Sequence, residues 1–96
     1  MMVLVTYDVA TADRSGQRRL QKVAKTCQNF GLRVQNSVFE CSISMEQFAR
    51  LKTNLLELID PEADSLRFYF LGKNWQHRVE HIGAKGVTPM DDPLIL

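Results

Sequence analysis

Several features that mark particular protein classes are scarce in this sequence of 96 residues. It contains two cysteines, Cys27 and Cys41, without close spacing, which is typical of a reduced cytosolic protein rather than a disulfide scaffold. No apolar stretch reaches transmembrane length, and the apolar run at 1–5 is too short for a signal peptide. We therefore expect a cytoplasmic protein that does not associate with a membrane.

Common catalytic motifs are also missing. The sequence has no Gly-rich phosphate loop, no serine elbow and no dinucleotide fingerprint. His77 and His81 are four residues apart, but the segment between them looks extended and offers no obvious third metal ligand. An ordinary surface histidine pair is therefore favoured over a zinc site.

Length and charge point to one small domain with an uneven surface. The chain is short enough for a single domain spanning 1–96, with a core so modest that a partner surface would help to stabilise it. The net charge is only +1, yet 14–33 holds six basic residues and no acid, whereas 40–64 holds six acids. Such asymmetry allows phosphate binding by one region, although charge alone slightly favours a merely solvated helix face.

The hydrophobic pattern predicts five strands and two helices. The first helix carries an apolar face at Leu20, Val23, Ala24 and Cys27, begins after Asp13 or Ser15 and ends at Gly31. Its solvated side is predicted to carry Arg18, Arg19, Lys22, Lys25 and Gln28. The second begins at Ser44, in a capping box with Gln47, and ends at Asp60-Pro61. The predicted strands lie at 1–9, 32–35, 38–43, 66–71 and 78–82, a loop lies at 72–76, and 83–96 is an irregular tail.

This order of elements predicts an α+β, ferredoxin-like βαββαβ sandwich with a short extra C-terminal strand. Right-handed crossovers would place both helices on one face of an antiparallel sheet. The runs at 1–5 and 68–71 are apolar at consecutive positions, so both faces of those strands need cover. We predict a homodimer stacked through the sheet face, while the C-terminal tail is an alternative or additional cover.

Asp8 is the first candidate for catalysis, because it ends the first strand at a place where a carboxylate reaches a cleft. In a sheet-stacked dimer, two symmetry-related Asp8 carboxylates could approach each other and bind a cation. Magnesium tolerates one or two carboxylates together with waters and phosphate oxygens. Without a partner, Asp8 would only cap a turn or remain solvated, which is the commoner fate of a lone aspartate at a strand end.

The run from Arg33 to Cys41 is the second candidate segment. Arg33 and Gln35 share one side of a short strand, where a guanidinium could bind phosphate in bidentate geometry. Ser37 could donate to a phosphate or close a turn with its neighbour Asn36. Phe39 could stack on a base, but the core is the favoured location for a strand phenylalanine.

Taken together, these features resemble a known family. The first strand ends in Tyr7-Asp8-Val9, a basic helix follows, and the next strands read Arg33-Val-Gln-Asn-Ser-Val-Phe-Glu40. With the late segment at 79–83 and the ending at 92–95, the whole chain resembles the small CRISPR-associated protein of the spacer-acquisition pair, the second of the two core adaptation proteins.

The resemblance implies a ferredoxin-like homodimer that acts as a metal-dependent endonuclease on RNA or duplex DNA. Asp8 would be catalytic and would place Mg²⁺, or Mn²⁺ instead, at the dimer interface. Positions that match residues implicated in activity or substrate contact are Tyr7, Arg18, Arg19, Arg33, Ser37 and Phe39. The family dimer also bridges integrase subunits across a duplex, and some members are scaffolds only, so a non-catalytic role stays open. A regulator that binds a small effector is a third class, since this fold hosts many functions, but no effector loop is obvious.

Overall fold

The computed structural model describes residues 1–72 and 79–84. Their elements follow in the order β1 (Met2–Asp8), α1 (Arg14–Gln28), β2 (Leu32–Gln35), β3 (Val38–Ser42), α2 (Met45–Leu58), β4 (Ser65–Leu71) and β5 (Val79–Gly83). The strands form one antiparallel sheet in the order β2-β3-β1-β4-β5. The predicted α+β class, the five strands and the two helices are confirmed. Gly83 belongs to β5 rather than to the predicted tail, and the loop at 73–76 and the tail from 85 lie outside the described residues.

β1 is the central strand and sets the two faces of the sheet. Val3, Val5 and Tyr7 are buried against the helices, because alternate side chains of a strand point to the same side. Across β1, Val5 is registered with Phe39 of β3 and with Phe68 of β4. We call this side the helix face, and we call the opposite side, which carries Thr6, Asp8, Ser65 and Arg67, the outer face.

The hydrophobic core lies between the helix face and the two helices. Val23 of α1 and Leu51 and Leu55 of α2 are fully buried in it. Cys27 and Cys41 are also fully buried and free, which confirms their prediction as small core residues. Burial raises the pKa of the Cys27 thiol to about 12, so it stays protonated and unreactive at neutral pH.

Local polar contacts begin both helices. Asp13 caps α1 by accepting a hydrogen bond of 2.8 Å from the Gly16 amide, and the Ser15 hydroxyl donates to the same carboxylate. Of the two predicted caps, the structure therefore uses Asp13. Ser44 and Gln47 form the predicted capping box at the start of α2.

Gly31 does not end α1 in the way that the sequence suggests. The helix closes at Asn29, whose backbone stays right-handed, and no positive φ occurs at Gly31. A Cβ at Gly31 would instead overlap the carbonyl oxygen of Glu40 and the sulfur of Cys41. Glycine is required here because the chain passes against β3, not because the helix needs a left-handed cap.

The outer face is partly apolar. Met2 and Leu71 are 37% and 39% exposed there, whereas Tyr69, which is registered with Leu4 on this face, is only 1% exposed. The predicted sheet-stacked dimer would cover Met2 and Leu71, and it stays a prediction. Within 1–72 and 79–84, no helix is long and apolar enough to cross a membrane.

Candidate functional site

Asp8 lies at the carboxyl end of β1, exposed on the outer face and registered with Ser65 of β4. It opens onto a cleft of about 150 Å³ between β1 and β4. The cleft is lined by Thr6, Tyr7, Asp8, Ser65, Leu66 and Arg67. The position that the sequence predicts for Asp8, at a strand end beside a cleft, is the one observed.

Arg67 brings a positive charge into the same cleft. Its Nη1 donates to the Tyr69 hydroxyl at 2.9 Å, and its Nε donates to Nδ1 of His81 at 3.3 Å. Sequence analysis did not select Arg67. A signal was present, because Arg67 is the single charged residue in the strand Ser65–Leu71, where apolar and aromatic side chains dominate.

The oxygen donors of the cleft fit magnesium in kind but not in number. Asp8 contributes a carboxylate, and Thr6 and Ser65 carry hydroxyl groups on the same face. Magnesium binds such oxygen ligands and completes its shell with waters and phosphate oxygens. Among the described residues, no three His, Cys, Asp or Glu side chains lie close enough to form a site. A second carboxylate would therefore have to come from outside the described residues of this chain.

Tyr7, Phe39 and Arg33 form a second cluster on the helix face. The Tyr7 and Phe39 rings stack with centroids 6.2 Å apart, and the Arg33 guanidinium carbon lies 5.2 Å from the centre of the Phe39 ring. This is a cation–π contact, which fixes Arg33 at the sheet edge. Burial raises the pKa of the Tyr7 phenol, although Arg33 nearby works in the opposite direction.

Phe39 is fully buried, which confirms the core as its location. Its predicted contact with substrate stays a prediction. Because Arg33 packs on the Phe39 ring, Arg33 would have to move for a base to stack there. The turn predicted at Asn36-Ser37 is present, and its carbonyl groups accept hydrogen bonds from Tyr7. The Tyr7 amide donates to Ser37 at 3.1 Å, and the Tyr7 hydroxyl donates to Asn36 at 3.3 Å.

Arg18 and Arg19 are adjacent in sequence but have different surroundings. Arg18 is exposed, whereas Arg19 forms a bidentate ion pair with Asp64, at 2.8 Å from Nε and 3.2 Å from Nη2. The sequence pattern placed Arg19 on the solvated side of α1, and this is wrong for its side chain. The cause is a long-range one: Asp64, fully buried, lies 45 positions away along the chain.

A row of exposed basic residues runs along α1, and we call it the α1 basic row. Its members are Arg14, Arg18, Lys22 and Lys25. They recur at helical spacing and cover about 16 Å at 1.5 Å per residue. Within the part of the chain that the structure describes, none of them forms a salt bridge, so their charges remain available to an anionic partner.

The predicted site residues therefore fall into separate groups. Tyr7, Arg33, Ser37 and Phe39 lie together around the β2–β3 turn. Asp8 points to the opposite face of the sheet from Tyr7, because neighbours along a strand alternate. Tyr7 lines the cleft and also belongs to the cluster, whereas the side chains of Asp8 and Phe39 lie on opposite faces of the sheet.

Comparison with known proteins connects this arrangement to a family. The family described as CRISPR associated protein Cas2 matches residues 1–79. The chain belongs to this family. The match includes β1 with Asp8, the α1 basic row, the β2–β3 turn and Arg67.

Relatives within the Cas2 family cover the whole chain. A protein of Chlorobaculum tepidum named CRISPR-associated endoribonuclease Cas2 is 58% identical over 96 residues, the full length of both chains. One of Halalkalibacterium halodurans, named CRISPR-associated endonuclease Cas2, is 58% identical over 99% of both. The crystal structure of Streptococcus pyogenes Cas2 at pH 6.5 is 59% identical, with a TM-score of 0.71 over 83% of this chain and 96% of that one.

Proposed function

We propose that this Cas2-family protein is a metal-dependent endonuclease that cleaves phosphodiester bonds of RNA or duplex DNA during CRISPR spacer acquisition. The observation that carries the proposal is the exposed Asp8 carboxylate, which opens onto the cleft beside Arg67. The names of the two full-length relatives, an endoribonuclease and an endonuclease, support the reaction class.

The proposed active form is a homodimer of ferredoxin-like domains stacked through their outer faces. The strand order supports this form, because β1 lies between β3 and β4, and β3 lies between β1 and β2. The partly exposed Met2 and Leu71 on the outer face also support it. Stacking about a twofold axis would bring two Asp8 carboxylates toward one another and supply the ligand that one chain lacks.

In this mechanism Asp8 of each chain would hold Mg²⁺, or Mn²⁺ in its place. Such a cation would supply Lewis-acid chemistry for hydrolysis of a phosphodiester. The residues of the chain position the substrate: the α1 basic row and Arg33 attract the backbone of the nucleic acid, and the cleft receives the scissile phosphate. The small number of carboxylates predicts a slow catalyst, since two-metal nucleases use several.

A scaffold that holds duplex DNA and bridges integrase subunits is the second candidate. The α1 basic row favours it, because four exposed cations along one helix bind phosphates without needing Asp8. In that case the integrase, rather than Asp8, would carry out the chemistry.

A cleavage assay with an Asp8→Asn variant separates the two functions. Labelled duplex DNA and single-stranded RNA are incubated with wild type, Asp8→Asn and Glu57→Gln in magnesium, manganese or chelator. Glu57 is a matched control, because it is an exposed carboxylate on α2. The nuclease function predicts metal-dependent cleavage by wild type and by Glu57→Gln, and its loss in Asp8→Asn with the dimer intact. Absence of cleavage in all three proteins, with duplex binding retained, would leave the scaffold.

A further inference from the structure

We propose that Arg67 is the residue of the Asp8 cleft that binds the phosphate under attack. The inference rests on the proposed nuclease function and names a substrate-binding residue that sequence analysis did not select. It stands on three observations: the position of Arg67 relative to Asp8, the contacts that hold its guanidinium, and the absence of a carboxylate partner among the described residues.

The register of β1 and β4 puts Arg67 and Asp8 on the same surface. Asp8 is registered with Ser65, and Thr6 is registered with Arg67, so Asp8 and Arg67 are diagonal neighbours on the outer face. Diagonal side chains of an antiparallel pair are roughly 7–8 Å apart at their bases. Both side chains line the same cleft of about 150 Å³, so one phosphodiester bound there could contact both.

The guanidinium of Arg67 is held in place before any ligand arrives. Nη1 donates to the hydroxyl of Tyr69, which is 1% exposed, and Nε donates to His81 Nδ1. These two bonds use two of the five N–H groups of an arginine. A guanidinium that is already oriented loses little conformational entropy when it binds a phosphate. Donors fixed in this way before the substrate binds favour catalysis.

His81 acts as a positioning residue for this guanidinium. Because Nδ1 accepts a hydrogen bond from Arg67, the proton of the neutral ring is on Nε2. Nε2 is buried and has no hydrogen-bond partner among the described residues. The ring therefore serves Arg67 as a hydrogen-bond acceptor.

The charge of Arg67 is not neutralised within residues 1–72 and 79–84. The salt bridges found there join Arg19 to Asp64 and Lys52 to Glu80, and none includes Arg67. Arg19 is partly buried like Arg67, but it pairs with the carboxylate of Asp64. Arg67 instead presents its positive charge to the cleft, where a phosphate could pair with it through charge-assisted hydrogen bonds.

Steady-state cleavage of a labelled 30-base-pair duplex in magnesium tests the assignment, using wild type, Arg67→Gln, Arg67→Lys and Arg50→Gln. Arg50 is the matched control, since it is an exposed arginine on α2 away from the cleft. We expect Arg67→Gln to lower kcat/KM about 10- to 100-fold, as for removal of one charge-assisted donor, and Arg67→Lys to restore part of it. Arg50→Gln should match wild type.

Thermal unfolding and sedimentation of the same proteins exclude a structural cause. Unchanged melting temperature and unchanged mass in Arg67→Gln are expected, and activity at the wild-type level would overturn the assignment. A shift of Arg67→Gln to monomer with loss of cleavage would also overturn it, because Arg67 would then be an interface residue.

A binding measurement keeps the inference distinct from the nuclease function. If wild type cleaves nothing, the proposed nuclease function fails, and fluorescence anisotropy with the same duplex in chelator then tests Arg67 alone. A Kd weakened about fivefold or more in Arg67→Gln, but not in Arg50→Gln, would support phosphate binding by Arg67. Equal Kd values for all the proteins would overturn it.

Discussion

Asp64 is a buried carboxylate that connects three parts of the chain. It is fully buried, accepts two hydrogen bonds from Arg19, and accepts one each from the backbone amides of Ala10 and Asp60. Burial by itself opposes ionisation of Asp64, but the Arg19 guanidinium and the two amides outweigh it and keep the pKa of the carboxyl below its ordinary value of 3.8.

Replacing Asp64 should therefore be costly. Asp64→Ala leaves the Arg19 guanidinium and two amides without their acceptor, and we expect the free energy of unfolding in urea to fall by about 3–5 kcal/mol. Glu62→Ala, in the exposed turn before Asp64, should change it by less than about 0.5 kcal/mol. A loss for Asp64→Ala no larger than for Glu62→Ala would show that the ion pair contributes little.

His81 predicts a pH dependence of stability. Burial lowers the pKa of its ring below 6.5, and the Arg67 guanidinium lowers it further, against a smaller opposing effect of the Gly83 backbone. The unfolded chain then binds a proton more readily than the folded one. Neutral His81 therefore contributes fully to the free energy of unfolding above about pH 6.5. This contribution is lost as the pH falls toward the pKa of His81 in the folded state.

Urea unfolding between pH 5 and pH 8 measures this effect. Wild type should lose stability below about pH 6.5, and His81→Asn should lose less over the same interval. Titration of the ring resonances by NMR gives the pKa directly. A His81 pKa at or above 6.5 would contradict the prediction.

At the residue scale, sequence analysis selected Asp8, Tyr7 and Arg33 as candidates because each carries a local signal, a polar group at a strand end or inside a dense motif. It did not select Arg67 as a candidate, and it misplaced the side chain of Arg19. Both depend on partners remote in sequence: Arg67 on His81, and Arg19 on Asp64. Periodicity identifies which side of an element is apolar but does not identify the partner of a particular charge.

Gly16 in the first turn of α1 is a test at the scale of the elements. Helix propensity alone would favour alanine by up to about 1 kcal/mol. However, Gly16 is buried, and a Cβ there would overlap the backbone carbonyl oxygen of Ala10, which cannot rotate away as a side chain would. The overlap outweighs the propensity, so Gly16→Ala should destabilise the protein.

Urea denaturation checks the sign of this effect. We expect Gly16→Ala to lower the free energy of unfolding by more than about 1 kcal/mol. Gln21→Ala, at an exposed position of the same helix, should leave it unchanged or raise it slightly. A more stable Gly16→Ala would mean that the segment at Ala10 moves aside at little cost.

The elements themselves were predictable because each carries its own boundary signals. The Ser44 and Gln47 capping box gave the start of α2, and the apolar stripe of α1 gave its buried side. Where the sequence left two caps for α1, the structure selected Asp13. The function of Gly31 was not predictable, since its close approach to Glu40 arises only when β3 pairs with β2.

For the whole molecule, the separation of the cleft from the α1 basic row suggests a division of labour. The cleft lies on the outer face, where the proposed dimer would enclose it, whereas the basic row lies on an exposed surface of α1. The α1 basic row should then contribute to nucleic-acid affinity without taking part in the cleavage step. The order of elements in the sequence predicted the α+β class, the five strands and the two helices, whereas the dimer that would join two clefts stays a prediction.

The α1 basic row provides the test of that division. Reversing Arg18 together with Lys22 should weaken duplex binding and reduce the slope of log K against log salt by about 0.9 for each phosphate that the variant no longer neutralises. Arg19 is unsuitable for such a variant, because its reversal would break the ion pair with Asp64 and disrupt the fold there rather than report on binding.

Reversal of Arg50 and Lys52 on α2 is a control for net charge, although Lys52 also contacts Glu80. Anisotropy titrations at several salt concentrations should show weaker binding only for the α1 variant. An equal weakening in both variants would mean that net charge, rather than the α1 basic row, attracts the duplex.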